Sequence, residues 1–244
     1  MTGSTGAGVV VGGASGIGAA VAERYRADGR GVVVWDVQDG ADVRCDVTDE
    51  EQIDQALAAT VARLADAPTE LTVTAGVGHS GLLTEVDRAE WDRVLAVNLT
   101  GPWLVMRAWA RWYGARGLEA SMVATSSVSA RLVDRSMGAY CSSKAALSMT
   151  VRVAAAEWAP AIRVNAVGPG VTTTPMLGGA PVDSGWLKDV ARRTSLGRLG
   201  TADDIAEAVL ALHGLPWVTG QVLEVDGGLG LHSPINAWHA TQGS

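Results

Sequence analysis

"AGVVVGGASGIG", residues 7–18, decides the fold of this chain. Three consecutive valines with no polar residue among them read as a strand buried on both faces. Glycines follow at 12, 13, 16 and 18, and "IGAAVAERYRADG" (17–29) reads as a helix ended by a glycine. Glycine lets the backbone turn sharply from strand to helix and lets a ligand approach it closely. The free amides at the start of the following helix favour a pyrophosphate. The spacing is Gly-x-x-x-Gly-x-Gly, so Gly12, Gly16 and Gly18, with Ser15 and Ile17 between them, are candidate cofactor-binding residues.

Outward from this unit the same alternation continues. "GVVVWD" (31–36) and "ADVRCDV" (41–47) read as the second and third strands, and "DEEQIDQALAATVARLAD" (49–66) as a helix with an acidic first turn. "ELTVTAG" (70–76) is a fourth strand, and 88–115 a helix expected to break near Gly101-Pro102. "ASMVATSS" (120–127), "IRVNAVGPG" (162–170) and "GQVLEVDGG" (220–228) complete the strands, with helices over 139–158, 184–194 and 202–212. Near-continuous apolar strands separated by helices imply an α/β fold: a Rossmann-like, doubly wound, mainly parallel seven-stranded sheet with helices on both faces. Ligands of such sheets sit beyond the carboxyl ends of the strands, so residues just after strands are the ones to inspect.

Composition narrows the class. The chain has 244 residues, 48% apolar, and no linker or charge run, which reads as one domain over 1–244. A net charge of −7 argues against an extended nucleic-acid or anionic-membrane surface. Cys45 and Cys141 are too few for a disulfide scaffold, and histidines at 79, 213, 232 and 239 have no metal-ligand spacing, so no metal is expected. No apolar run approaches the ~18 residues of a membrane helix. The start, "MTGSTGAG", has no basic region followed by an apolar stretch, so the expectation is a soluble, cytoplasmic protein.

Asp36 ends the second strand 18 residues past Gly18, close to the ~20 expected of a carboxylate that holds an adenosine ribose. It would accept bonds from the ribose hydroxyls and repel a 2′-phosphate. Neither Ser15 nor Val37 supplies a cation for that phosphate, so the expected cofactor is NAD. Asp46 and Val47, after the third strand, are candidates for the adenine edge.

A second stretch, "AYCSSKAAL" (139–147), sets Tyr140 one helical turn before Lys144, on the same face. Ser126 and Ser127 close the strand that precedes it. Two charges ~6 Å apart at an effective dielectric of ~20 interact by about 2.8 kcal/mol, roughly two pKa units. The expectation is therefore that the ammonium outweighs burial and draws the phenol toward the range of a useful proton acceptor. Ser127 would hold the substrate oxygen while hydride leaves its carbon.

Taken together, these elements resemble the short-chain dehydrogenase/reductase family in its compact form. The motifs are "GGASGIG", "DV" at 46–47, "TAG" at 74–76, "VNLTG" at 97–101, "SSVS" at 126–129, "YCSSK" at 140–144, "NAVGPGVTTTPM" at 165–176 and "GQVLEVDGG" at 220–228, in family order across nearly the whole chain. Ser127, 13 residues before Tyr140, stands at the usual family interval. The resemblance implies a catalytic set of Asn98, Ser127, Tyr140 and Lys144. Tyr140 would be the acid/base, Lys144 would also bind the nicotinamide ribose, and Asn98 would hold a water relaying protons from Lys144. Ala75 and Gly76 join the cofactor-binding set, as do Asn98, Tyr140 and Lys144. Pro169 and Gly170 would pass beneath the nicotinamide, with Val171 and Thr174 on its carboxamide. Departures from the pattern are Val11 for a frequent Thr, Thr74 for Asn, Ala130 for Gly, and a short segment before "WVTGQ".

Substrate contacts are expected from residues 128–137, from His79 and its neighbours, and from 175–197, which reads as a lid with Leu177, Trp186 and Leu187 as apolar contacts, suited to an uncharged or weakly polar secondary alcohol or ketone. His79 reads as a loop histidine rather than a catalyst. The tail "HSPINAWHATQGS" is expected over the pocket or against a neighbouring subunit. Trp- and Ala-rich helices at 98–115 and 139–158 are candidates for packing subunits into a homo-oligomer, by resemblance a tetramer. The favoured activity is NAD(H)-dependent interconversion of a secondary alcohol and a ketone. The alternatives are a 3-oxoacyl-thioester reductase and a non-catalytic nucleotide sensor.

Overall fold

The computed structural model describes residues 6–178 and 184–231. Its strands are β1 (Gly8–Val11), β2 (Val32–Asp36), β3 (Val43–Arg44), β4 (Glu70–Val73), β5 (Ala120–Thr125), β6 (Ile162–Pro169), β7 (Thr172–Thr173), β8 (Gly200–Thr201) and β9 (Val222–Val225). Its α-helices are α1 (Gly16–Ala27), α2 (Glu50–Arg63), α3 (Arg88–Leu95), α4 (Gly101–Gly114), α5 (Gly138–Trp158), α6 (Gly185–Arg193) and α7 (Ala202–His213). Seven strands form one parallel sheet in the order β3-β2-β1-β4-β5-β6-β9, while β7 and β8 pair separately. The order reverses between β1 and β4, so their carboxyl ends flank the crevice where such sheets bind ligands.

Two cores lie on opposite faces of this sheet, and the period-2 alternation of its strands divides residues between them. Val9 and Val11 of β1, Val33 and Trp35 of β2, and Met122 and Ala124 of β5 face one core with Met106 and Trp109 of α4. Val10, Val34 and Val123 face the other with Val21 and Tyr25 of α1 and Ile205 and Val209 of α7. Trp35 and Trp109 are fully buried, with ring centres 5.9 Å apart. In a chain without phenylalanine, these rings supply the large apolar volume of that face.

One irregularity falls elsewhere than the expected break at Gly101-Pro102. The helical run is interrupted one turn earlier by a π-turn over Ala96–Thr100, with Asn98 at its centre. Pro102 then sits in the first turn of α4, where its missing N–H costs nothing. Leu187 also departs from expectation: it is fully buried on the inner face of α6, while Trp186 beside it is half exposed. Residues 179–183 of the expected lid, and the tail from residue 232, lie outside the described residues.

Candidate active site

The glycine turn is built as its sequence implies. Gly12 takes φ +81° and Gly16 φ +54°, both in the left-handed region. A Cβ at Gly12 would lie 2.5 Å from the Ala75 nitrogen, so only glycine lets β4 approach this closely. Ser15 caps α1 by backbone alone, and its hydroxyl accepts from Gln38 Nε2 at 3.4 Å. Thr74 occupies the position where the family pattern has Asn. Its hydroxyl reaches the carbonyls of Val11 at 2.9 Å and Gly12 at 3.0 Å, tying the end of β4 to the turn.

Asp36 is 7% exposed at the end of β2, and its carboxylate accepts from Ala14 N–H at 3.0 Å and Gln38 N–H at 3.0 Å. One bond goes to each oxygen, which leaves each with capacity for a ribose hydroxyl. Asp46 and Val47 have local duties as well. Asp46 accepts from the amide and hydroxyl of Thr48, and Val47 packs so tightly on Gly101 of α4 that no side chain fits there.

Ser126, Ser127, Tyr140 and Lys144 come together because β5 ends beside the first turns of α5. Ser126 is consumed by structure: its hydroxyl donates to the Lys144 carbonyl at 3.1 Å and contacts Ser148 at 2.7 Å. Ser127 accepts from Ser129 N–H at 3.1 Å and hydrogen-bonds the Tyr140 hydroxyl. Of the two serines, Ser127 is the one that interacts with Tyr140. Lys144 Nζ is buried, 5.7 Å from the centre of the Tyr140 ring, and donates to the Thr125 carbonyl at 2.8 Å. A Cβ at Gly76 would lie 3.3 Å from Asn98 Oδ1 and 3.5 Å from Lys144 Nζ, which places these three at one point of the cleft.

Electrostatics run against the sequence expectation. Burial is the largest influence on Tyr140 and pushes its phenol up, while the Ser127 bond pulls it part of the way back. Burial also pushes the Lys144 ammonium down to about 8. Desolvation acts on both charged forms at once, and the ammonium spends its bond on the Thr125 carbonyl.

Asn98 is fully buried at the π-turn. Its Oδ1 accepts from Val77 N–H at 2.8 Å, and its Nδ2 donates to the Val77 carbonyl at 2.9 Å and to Ser143 at 3.2 Å. Both amide hydrogens are therefore committed. Ser143, one residue before Lys144, donates onward to the Tyr140 carbonyl at 2.7 Å. It stood inside the "YCSSK" motif, and its i, i−3 position was the available signal for this link.

On the other side of the cleft, β6 ends at Pro169, and Gly170 N–H bonds the Val225 carbonyl at 3.1 Å. The Val171 carbonyl accepts from Gly200 N–H at 3.0 Å. Thr174 lies opposite the glycine turn, its Cβ 3.5 Å from where a Cβ of Gly16 would stand. The glycine turn thus lies between Asp36 on one side and Thr174 on the other, with Gly76 beside Asn98 and Lys144. Among the described residues no cluster of three or more His, Cys, Asp or Glu could hold a metal, and no helix is long and apolar enough to cross a membrane.

Known proteins resemble this chain over nearly its whole length. The chain is 35% identical to cis-4-hydroxycyclohexanecarboxylate dehydrogenase of Sinomonas cyclohexanicum, over 90% of this chain and 94% of that one. In structure it resembles the ligand-free aldohexose dehydrogenase of Thermoplasma acidophilum, with a TM-score of 0.87 at 28% identity, covering 95% of this chain and 96% of that one. ElxO with NADP bound superposes with a TM-score of 0.85 at 25% identity, over 94% of this chain and all of that one. A family model described as enoyl-(acyl carrier protein) reductase matches residues 12–230, from the glycine turn to the last described turn. With its parallel sheet, its glycine turn and these relatives, the chain belongs to the short-chain dehydrogenase/reductase family and is an oxidoreductase.

Proposed function

We propose that this protein, as a single domain, interconverts a small secondary alcohol and a ketone with NAD(H), and that Tyr140 moves the proton. The observation that carries the reading is the convergence of Ser127, Tyr140 and Lys144 beside Gly76 and the glycine turn. The cofactor would lie on Gly12, Ser15, Gly16, Ile17 and Gly18, with Asp36 on its adenosine ribose. Asp46 and Val47 would border the adenine, Ala75, Gly76 and Asn98 the middle of the cleft, and Pro169, Gly170, Val171 and Thr174 the nicotinamide end. When bound, it supplies a hydride acceptor and, in its oxidised form, a positive charge near the phenol.

Ser127 donates its hydroxyl hydrogen to the substrate oxygen and holds that oxygen against Tyr140. In the oxidative direction the Tyr140 oxygen takes the hydroxyl proton; in the reductive direction it returns one. Lys144, still largely protonated at neutral pH with its value near 8, would stabilise the phenolate from beside the ring and hold the nicotinamide ribose. Both Asn98 amide hydrogens go to Val77 and Ser143, so a water leading from Lys144 to solvent would be held by an Asn98 carbonyl oxygen, of the side chain or the backbone.

Asp36 supports NAD over NADP through repulsion of a 2′-phosphate, and the carboxylate is fixed in place by Ala14 and Gln38. The test is turnover of a panel of secondary alcohols and ketones with NAD(H) and NADP(H) side by side. Preference for NAD(H) supports the reading, and exclusive use of NADP(H) refutes the cofactor assignment.

A second reading is reduction of a 3-oxoacyl thioester, favoured by the chain's 31% identity to a (3R)-3-hydroxyacyl-CoA dehydrogenase of Mus musculus. Turnover of an acetoacetyl thioester above that of free ketones would select it. Exposed Trp103 on α4 and Met149 and Val153 on α5 support a homo-oligomer, with a tetramer as the form implied by the family; sedimentation of the full chain decides its size.

A further inference from the structure

The segment after β4 is an extended strap pinned at every second residue. At Val77 both backbone groups are held by the Asn98 side chain. At His79 the Nδ1 nitrogen faces Glu90 Oε1 of α3 at 2.9 Å. At Gly81 the N–H donates to the Ser136 carbonyl at 2.7 Å, and Gly81 bridges Met137 in parallel. Leu83 then lies against Gly138, leaving no room for a side chain there. The strap therefore runs from the π-turn to the start of α5.

That start needs outside support. Met137 precedes α5 without any side-chain cap, so the free amides of its first turn are not fixed locally. Ser136 sits at φ +70°, the only non-glycine with positive φ among the described residues. Such a conformation persists where its surroundings impose it, and what surrounds Ser136 is the strap: Gly81 on its carbonyl and Ser80 Oγ 3.2 Å from its own. Tyr140 stands in the turn that begins here.

His79 is the one pin of the strap made by an ionisable side chain. Glu90 presents a fixed target, since both its oxygens are gripped at 2.7 Å by Arg93, whose guanidinium, with a lesser contribution from His79, holds the carboxyl down at about 2. A carboxylate only accepts, so the imidazole carries its proton on Nδ1. Its Nε2 is buried without a hydrogen-bond partner, 3.0 Å from where a Cβ of Gly81 would stand. A buried nitrogen left unpaired is a cost that calls for a reason, and holding the strap supplies one.

We propose that His79 is a positioning residue: through Glu90 it fixes the 77–83 strap, and the strap sets the first turn of α5 and with it the placement of Tyr140. The proposal rests on the reading of Tyr140 as the proton carrier.

The experiment compares His79→Ala, His79→Asn and Glu90→Ala in the full chain by two readouts, amide hydrogen exchange and steady-state kinetics. Asn can offer an N–H where Nδ1 stood, but has nothing at Nε2. His79→Ala and Glu90→Ala should speed exchange at the Gly81 and Cys141 amides while leaving β1 and β5 unchanged. The kcat should fall about tenfold or more, with the KM for NAD within about twofold. His79→Asn should recover most of the kcat, and the double alanine variant should lose no more than either single one. Unchanged exchange at Gly81 and Cys141 overturns the proposal, as does a loss confined to the KM for NAD, or His79→Asn as impaired as His79→Ala. Should His79→Ala not fold, Glu90→Ala, on the solvent side of the pair, decides alone. Exchange needs no turnover, so an inactive wild type refutes the catalytic reading while the strap is still judged.

Discussion

Lys144 Nζ lies 5.7 Å from the centre of the Tyr140 ring, yet its hydrogen bond goes to the Thr125 carbonyl, 2.8 Å away. The lysine is thus a buried charge held by the end of β5 beside the Tyr140 ring. A buried ammonium is a cost to the fold, which its value near 8 expresses.

Lys144→Met should therefore separate stability from activity. The folded value lies below the ordinary 10.5, so the cost is full below pH 8 and gone above about pH 10.5. At pH 7 the variant should gain about 1–2 kcal/mol after loss of the Thr125 bond, while turnover falls about a hundredfold or more. Thermal melting and kinetics check both. A less stable variant at pH 7 contradicts the charge argument.

Asp36→Ala should erode discrimination between the dinucleotides. Losing the repulsion of a 2′-phosphate should lower the ratio of kcat/KM for NAD over NADP about tenfold or more. An unchanged ratio would remove Asp36 from the ribose site.

Thr74→Val should loosen the glycine turn from β4, since the carbonyls of Val11 and Gly12 both lose a donor. The expected cost is about 1–2 kcal/mol, a fall in Tm of roughly 3–6 °C. Thr74→Ser, which keeps the hydroxyl, should melt close to the wild type. Equal melting of all three proteins would show that the bond carries no stability.

His213 should make the fold acid-sensitive. It is buried between Thr72 Oγ1 at 3.0 Å and Ser121 Oγ at 2.9 Å, and burial pushes it from 6.5 down to about 4. Below pH 6.5 the unfolded chain takes up this proton first, so stability falls as pH drops from 6.5 to 4. The loss from this one group is about 3 kcal/mol at most. His213→Gln should melt with a flatter pH dependence in that window, and identical slopes would exclude the histidine as the cause.

What was legible in the sequence is what local backbone rules determine. The valine run, the glycine turn and the carboxylate 18 residues on announce their geometry because strand, turn and helix start each demand particular residues. Tyr140, Lys144 and Ser127 were legible through one helical turn and one strand end. The balance between charge and burial at Tyr140 was not, because desolvation depends on everything packed around the phenol. Leu187 reads as a lid contact until the partner of each face of α6 is known. The π-turn at Asn98 and the strap from Val77 to Leu83 are relations between distant segments, and no periodicity records them.

The most direct test of the account is Tyr140→Phe, assayed beside the wild type with NAD and the best alcohol found. The wild type should turn over and the variant should be slower by about a hundredfold or more, with dinucleotide binding and Tm retained. A variant as active as the wild type would contradict it: the proton would then leave by another route, and the phenol beside Lys144 would be packing alone.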